Sequence, residues 1–194
     1  MPHFEQEHLV QAITFRLADS LPSSVLQTWE RELAKEPDKS RVIIVQRRIA
    51  SYLDAGSGDC WLSHPSIAQL VESALFRHDN QRYRLIAWCV MPNHVHVMIE
   101  CIPPHKLPSI LQSWKGYTSR EANKILGRTG LFWQKDYHDR FVRDEKHFAS
   151  AINYIHQNPV KASLITDASH FPFSSARFQE PRSLSPLPAP ASPL

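Results

Sequence analysis

Four side chains in this sequence have types and spacings suited to chemistry: His94 and His96 in the run CVMPNHVHVMIE, and Tyr154 and Asn158 in the run AINYIHQNP. Alternate residues of a strand share a face, so His94 and His96 point one way and Val95 the other. Two imidazoles about 6.5–7 Å apart along a strand can converge on one metal ion. Such a pair leaves positions open for a reactant. The same spacing equally fits two imidazoles packed at a hairpin mouth. Tyr154 and Asn158 are four apart and share one side of a helix. Tyrosine can form covalent intermediates, and an amide oxygen can complete a metal site. Taken alone, the pair also fits an edge tyrosine beside an asparagine that ends a helix before Pro159. A free phenol has a pKa of about 10, so Tyr154 needs a nearby cation to react as phenolate.

The elements that must position these residues follow from hydrophobic period and punctuation. Alternation predicts strands over 11–17, 82–90 and 94–100, the last two joined as a hairpin by Met91-Pro92-Asn93, and a further strand within 131–143. Helical spacing predicts a helix capped by Ser23 and ended by Pro37, a second opened by Ser40 and stopped by Gly56, and a third from Pro65. A longer helix follows over 109–126. A last one, capped by Asp144, runs over 145–158 and is closed by Pro159. With two early helices set aside as an insertion after the first strand, the order is βαββαβ plus a final helix. That order predicts an α+β, ferredoxin-like antiparallel sheet with helices on one face. Residues 1–180 are expected to form one domain. The Pro/Ser-rich segment 181–194, with five prolines, cannot build a core.

Composition narrows the function classes. Hydrophobic residues make up 42% and charged residues 21% of 194, as in globular proteins. No apolar run is long enough to cross a bilayer, and the first ten residues lack the basic start of a secretory signal, so the expected location is the cytoplasm. The three cysteines, Cys60, Cys89 and Cys101, form no CxxC pair, which argues against a thiolate zinc module or a disulfide framework. The net charge is +3, and residues 112–146 hold eight Lys or Arg against five acids, interleaved with Trp114, Tyr117, Phe132, Trp133, Tyr137 and Phe141. This mixture fits a phosphate-contacting surface with rings for unstacked bases. It fits a solvated helix face and an amphipathic strand equally well.

Taken together, CVMPNHVHVMIE, GLFWQKDYHDRFVRDEKHF and AINYIHQNPVKASL resemble the REP-associated tyrosine transposases, relatives of the single-tyrosine HUH transposases of small insertion sequences. ITFRLADSLP is similar to the same family's first strand, and the resemblance spans roughly residues 11 to 178. It implies that His94 and His96 are the HUH pair holding a divalent ion, Mg²⁺ or Mn²⁺, and that Asn158 completes the site, with Gln157 as the neighbouring alternative. It implies that Tyr154 is the nucleophile, giving a 5′-phosphotyrosine and a 3′-OH that can later rejoin strands. The implied partner is single-stranded DNA carrying hairpins of palindromic repeats, met by a monomer or a homodimer. Candidate DNA contacts are Lys115, Arg120, Arg140, Arg143 and Lys161, with Trp114, Trp133 or Tyr137 as stacking rings. Glu100 shares the strand face of the histidines. A catalytically silent hairpin-binding protein and a water-using metal nuclease remain the competing readings.

Overall fold

A computed structural model describes residues 9–178, so the segment 181–194 lies outside the described residues. Strand β1 (Val10–Arg16) leads into helices α1 (Ser23–Glu32), α2 (Asp38–Asp54) and α3 (Pro65–Phe76). The hairpin strands β2 (Tyr83–Val90) and β3 (His94–Cys101), helix α4 (Leu107–Ile125), the short strand β4 (His138–Phe141) and helix α5 (Glu145–Lys161) complete the order. The four strands form one sheet in the order β2-β3-β1-β4, every pair antiparallel. The two outer strands of the βαββαβ unit thus flank a central pair, as the sequence order predicts.

The alternation of each strand divides the molecule in two. Ile13, Phe15, Val95, Val97, Ile99, Leu85 and Trp88 face α3 and α4 and form the main core with Ile67, Val71, Ile110 and Trp114. The last helix lies on the opposite face, where Ile155 packs with Ile86, Ala87, Cys89, Met91 and Met98. The outer edge of β2 is covered by residues 173–175: Val90 donates to the Phe173 carbonyl, and Cys89 bridges Ser174. Arg177 anchors this segment through two bonds to Glu72 of 2.7 and 3.1 Å, so the edge does not template other strands.

Helix boundaries differ from the pattern in three places, each with a local cause. Helices α1 and α2 start directly after Pro22 and Pro37, whose ψ of 142° and 141° make them the N-caps in place of Ser23 and Ser40. Helix α1 ends at Glu32, short of Pro37. Helix α5 runs through Pro159 to Lys161, because buried Ile155, Asn158 and Pro159 hold its last turn against the sheet. Asp144 caps α5 as expected, accepting from the His147 amide at 2.7 Å.

Several aromatic residues of the basic stretch serve this core. Trp114 donates to the Tyr83 hydroxyl at 2.9 Å, and Tyr83 donates to the Leu75 carbonyl at 2.7 Å. Trp133 donates to the Thr118 hydroxyl at 2.8 Å. Neither indole is free to stack on a base. Trp133→Phe leaves the Thr118 oxygen without its donor and shrinks a buried ring. It is expected to lower unfolding stability by about 1–3 kcal/mol, measured by urea denaturation.

Candidate functional site

The site lies on the α5 side of the sheet, where β3 meets the end of α2. His94 and His96 share that face by parity and are 1% and 5% exposed. Their Nε2 atoms are 3.0 Å apart. Asn93 fixes His94. Its Nδ2 donates to the carbonyls of Leu53 and Ser57 at 3.1 and 2.8 Å, leaving its Oδ1 to face His94 Nδ1 at 2.7 Å. His94 Nδ1 must therefore carry the proton. Burial, with His96 adding to it, holds the His94 pKa well below the usual imidazole range, so the ring is neutral. His94 Nε2 then presents a bare lone pair toward His96.

His96 is also neutral, its pKa pushed down to about 3 by burial first and by Lys161 second. Its Nδ1 lies 2.8 Å from Thr14 Oγ1 on β1, directly across the ladder. A hydroxyl can donate or accept, so Thr14 serves either tautomer of His96. With an ion between the rings, His96 donates to Thr14 and both Nε2 lone pairs are free. Without one, His96 Nε2 donates to His94.

Helix α5 brings Tyr154, Asn158 and Lys161 to the same place, at spacings of four and three. The Tyr154 ring meets the His96 ring edge-on, centroids 5.4 Å apart, and Lys161 Nζ lies 4.6 Å over the Tyr154 ring. Tyr154 is 38% exposed, so a ligand from solvent reaches it while its inner edge meets His96. Burial raises its pKa, opposed by the Asn158 amide, raised further by the Asp54 carboxylate and lowered by Arg140. Asn158 is fully buried. Its Nδ2 donates to the Tyr154 carbonyl at 3.2 Å, while its Oδ1 has no hydrogen-bond partner. A buried amide oxygen without a donor, on the helix whose Tyr154 meets His96, is free to accept a partner. Two imidazole nitrogens and a carboxamide oxygen fit a divalent cation of borderline or hard character. Gln157 is only half-buried, on another side of the helix.

The remaining candidates separate by position. Arg140 pairs across β1 with Ala12, and His138 with Thr14, which puts both on the histidine face. Arg143 is exposed at the mouth of α5, and Arg120 is exposed on α4, bonded to Glu121 at 3.0 Å. Lys115 is engaged internally: its ammonium donates to the carbonyls of Gln134, Lys135 and Asp136 at 3.0, 3.0 and 3.3 Å. Tyr137 remains 36% exposed beside it. Glu100 pairs with Arg84 at the far end of β3. Three residues of the site carry no sequence signal: Thr14 and Asp54, brought in by long-range packing, and Asn93 in its role as the clamp on His94. Among the described residues, no three His, Cys, Asp or Glu side chains converge as a preformed metal cage. Nor is any helix there long and apolar enough to cross a membrane.

The neutral histidines predict an acid-sensitive fold. Their folded pKa values lie below the unfolded value of about 6.5, so the unfolded state binds more protons under acid conditions. Their contribution is complete above pH ~6.5 and is lost as pH falls toward the folded values, about 3 for His96. In chelator, the urea midpoint is expected to drop from pH 7 to 4, and His96→Gln should flatten part of that slope.

Comparison with known proteins gives a consistent result. A family model described as "Transposase IS200 like" matches residues 66–158, a span containing His94, His96, Tyr154 and Asn158. A putative REP-associated tyrosine transposase of Haemophilus influenzae is 25% identical over 104 residues, 48% of this chain and 58% of that protein. The match thus spans less than two thirds of that relative. A REP-associated tyrosine transposase of Escherichia coli is 26% identical over 122 residues, 61% of this chain and 70% of that one. In fold, the chain is similar to a REP-associated tyrosine transposase solved bound to a REP hairpin. The TM-score is 0.52 at 16% identity, over 90% of this chain and 82% of that one. The motifs, the fold and these relatives agree: residues 66–158 match the IS200-like transposase family model, and the chain is similar to REP-associated tyrosine transposases.

Proposed function

We propose that this protein binds hairpin-forming single-stranded DNA and cuts it by attack of Tyr154, forming a covalent link that can be resolved by rejoining. The observation that carries this reading is the half-exposed Tyr154 phenol set edge-on to His96, beside the bare Asn158 oxygen and under the Lys161 ammonium. His94 Nε2, His96 Nε2 and Asn158 Oδ1 would hold a divalent ion, Mg²⁺ or Mn²⁺. When bound, that ion supplies charge neutralisation and polarisation at the scissile phosphate.

The chain's own groups do the rest. The phenol needs help to ionise, since burial raises its pKa. Lys161 over the ring and Arg140 nearby supply positive charge and would meet the phosphate's negative oxygens. The Tyr154 oxygen bonds to phosphorus and gives up its proton, while the bond from phosphorus to the 3′-oxygen breaks. That oxygen takes up a proton, leaving a 3′-OH and a 5′-phosphotyrosine. Attack by a 3′-OH on this link restores a phosphodiester and frees Tyr154, so no external energy source is needed. Arg143 and Arg120 lie farther out as backbone contacts, and Tyr137 is the exposed ring available for stacking.

The direct test is a labelled hairpin-bearing single-strand library with Mg²⁺ or Mn²⁺, run on denaturing gels. Wild-type protein should retain label, and Tyr154→Phe or added chelator should abolish it. Binding without any adduct would instead identify a silent hairpin binder, and cleavage surviving in Tyr154→Phe would identify a water-using nuclease. Lys161→Ala is expected to slow adduct formation about 10²-fold with folding unchanged. Lys115→Ala, by contrast, should lower stability more than DNA affinity.

A further inference from the structure

Asp54, the last residue of α2, stands in the insertion and ahead of the segment 66–158 that the family model matches. Its Oδ1 lies 3.8 Å from His94 Nε2, is buried, and has no hydrogen-bond partner. We infer that Asp54 is a further protein ligand of the divalent ion held by His94 and His96, contributed by the helical insertion. The inference rests on the reading that those two histidines hold an ion.

Three features of the arrangement are unfavourable without a cation, and one cation relieves all three. First, His94 cannot donate to Asp54: its Nδ1 proton is committed to Asn93, and its Nε2 lone pair, which accepts from His96 when no ion is present, lies 3.8 Å from a carboxylate oxygen. Second, a buried carboxylate oxygen without a donor is costly and rare in folded proteins. Third, a carboxylate at the C-terminal end of a 17-residue helix meets the negative end of its dipole.

The placement is held from both sides. The same Asn93 amide that orients His94 bonds the carbonyls of Leu53 and Ser57, bracketing Asp54, and Leu53 is buried. The end of α2 and the His94 ring are therefore tied to one side chain. At 3.8 Å from His94 Nε2, the carboxylate would need only a small shift to share an ion with that nitrogen. A charged oxygen donor added to two imidazoles shifts preference toward Mg²⁺ and Mn²⁺ over softer ions.

The test uses the full chain without DNA. Mn²⁺ is titrated into wild type, Asp54→Asn, Asp54→Ala and His96→Ala. Binding is read from the electron paramagnetic resonance of free Mn²⁺, and melting temperature is recorded in chelator and in Mn²⁺. Wild type should bind one ion, and both Asp54 variants should bind at least ~10-fold more weakly while retaining nitrogen couplings from the histidines. In chelator, the Asp54 variants should melt at or above the wild-type temperature, with a smaller Mn²⁺-induced rise. Wild-type-like Mn²⁺ affinity in both Asp54 variants would overturn the inference and leave the histidine site standing. Lower melting in chelator with an unchanged Mn²⁺-induced rise would make Asp54 a structural residue and overturn it too. If wild type and His96→Ala bind Mn²⁺ equally weakly, the underlying histidine reading fails.

Discussion

The contact between His94 Nε2 and His96 Nε2, at 3.0 Å, is the constraint on which the site depends. Two neutral imidazoles at that distance are stable only with a proton or a cation between their nitrogens. Burial disfavours an added proton, so in the absence of a cation the bridging proton is the one carried by neutral His96. The protein then fixes the far nitrogen of each: His94 through Asn93, whose amide is itself pinned by two carbonyls, and His96 through Thr14 on the neighbouring strand. Such outer partners set tautomer and ring orientation in metal-binding histidines.

This arrangement is affordable because the sheet separates its two tasks. Strand β3 runs through the middle of the sheet, between β1 and β2. Its Val95, Val97 and Ile99 belong to the large apolar cluster against α3 and α4, which supplies most of the burial that stabilises the fold. The opposite face carries a smaller cluster under α5, and its polar half is the site. One strand thus carries core residues and the two site histidines in strict alternation, and a single-residue slip would exchange them. Helix α5 repeats the logic: Ile155 and Pro159 anchor it, while Tyr154 meets His96 and Lys161 lies over the Tyr154 ring.

Much of this was legible in the sequence. The HVH alternation on a strand, the hairpin around Asn93, the Asp144 cap and the four-residue spacing of Tyr154 and Asn158 are local patterns, and local geometry decides them. The βαββαβ order was legible because each element declares its own period. Features set by distant packing were not. Asp54 meets His94 forty positions downstream, and Thr14 meets His96 across a ladder whose register no local pattern reveals. Pro159 reads as a stop, yet burial of the last turn carries α5 beyond it. Lys115, Trp114 and Trp133 have the composition of a DNA-binding surface, but their hydrogen bonds go to carbonyls and hydroxyls of the protein itself. Charge and aromaticity alone do not say whether a side chain faces outward.

The central claim is that Tyr154 is the atom donor to DNA, and mass spectrometry of a trapped complex addresses it most directly. The protein is incubated with hairpin DNA and Mn²⁺, denatured, and digested with trypsin and nuclease. The peptide spanning residues 147–161 contains Tyr154 as its one tyrosine. The account predicts a nucleotide 5′-phosphate on that peptide, fragmenting to Tyr154. Cut DNA with an unmodified peptide, or a nucleotide on any other residue, would contradict it.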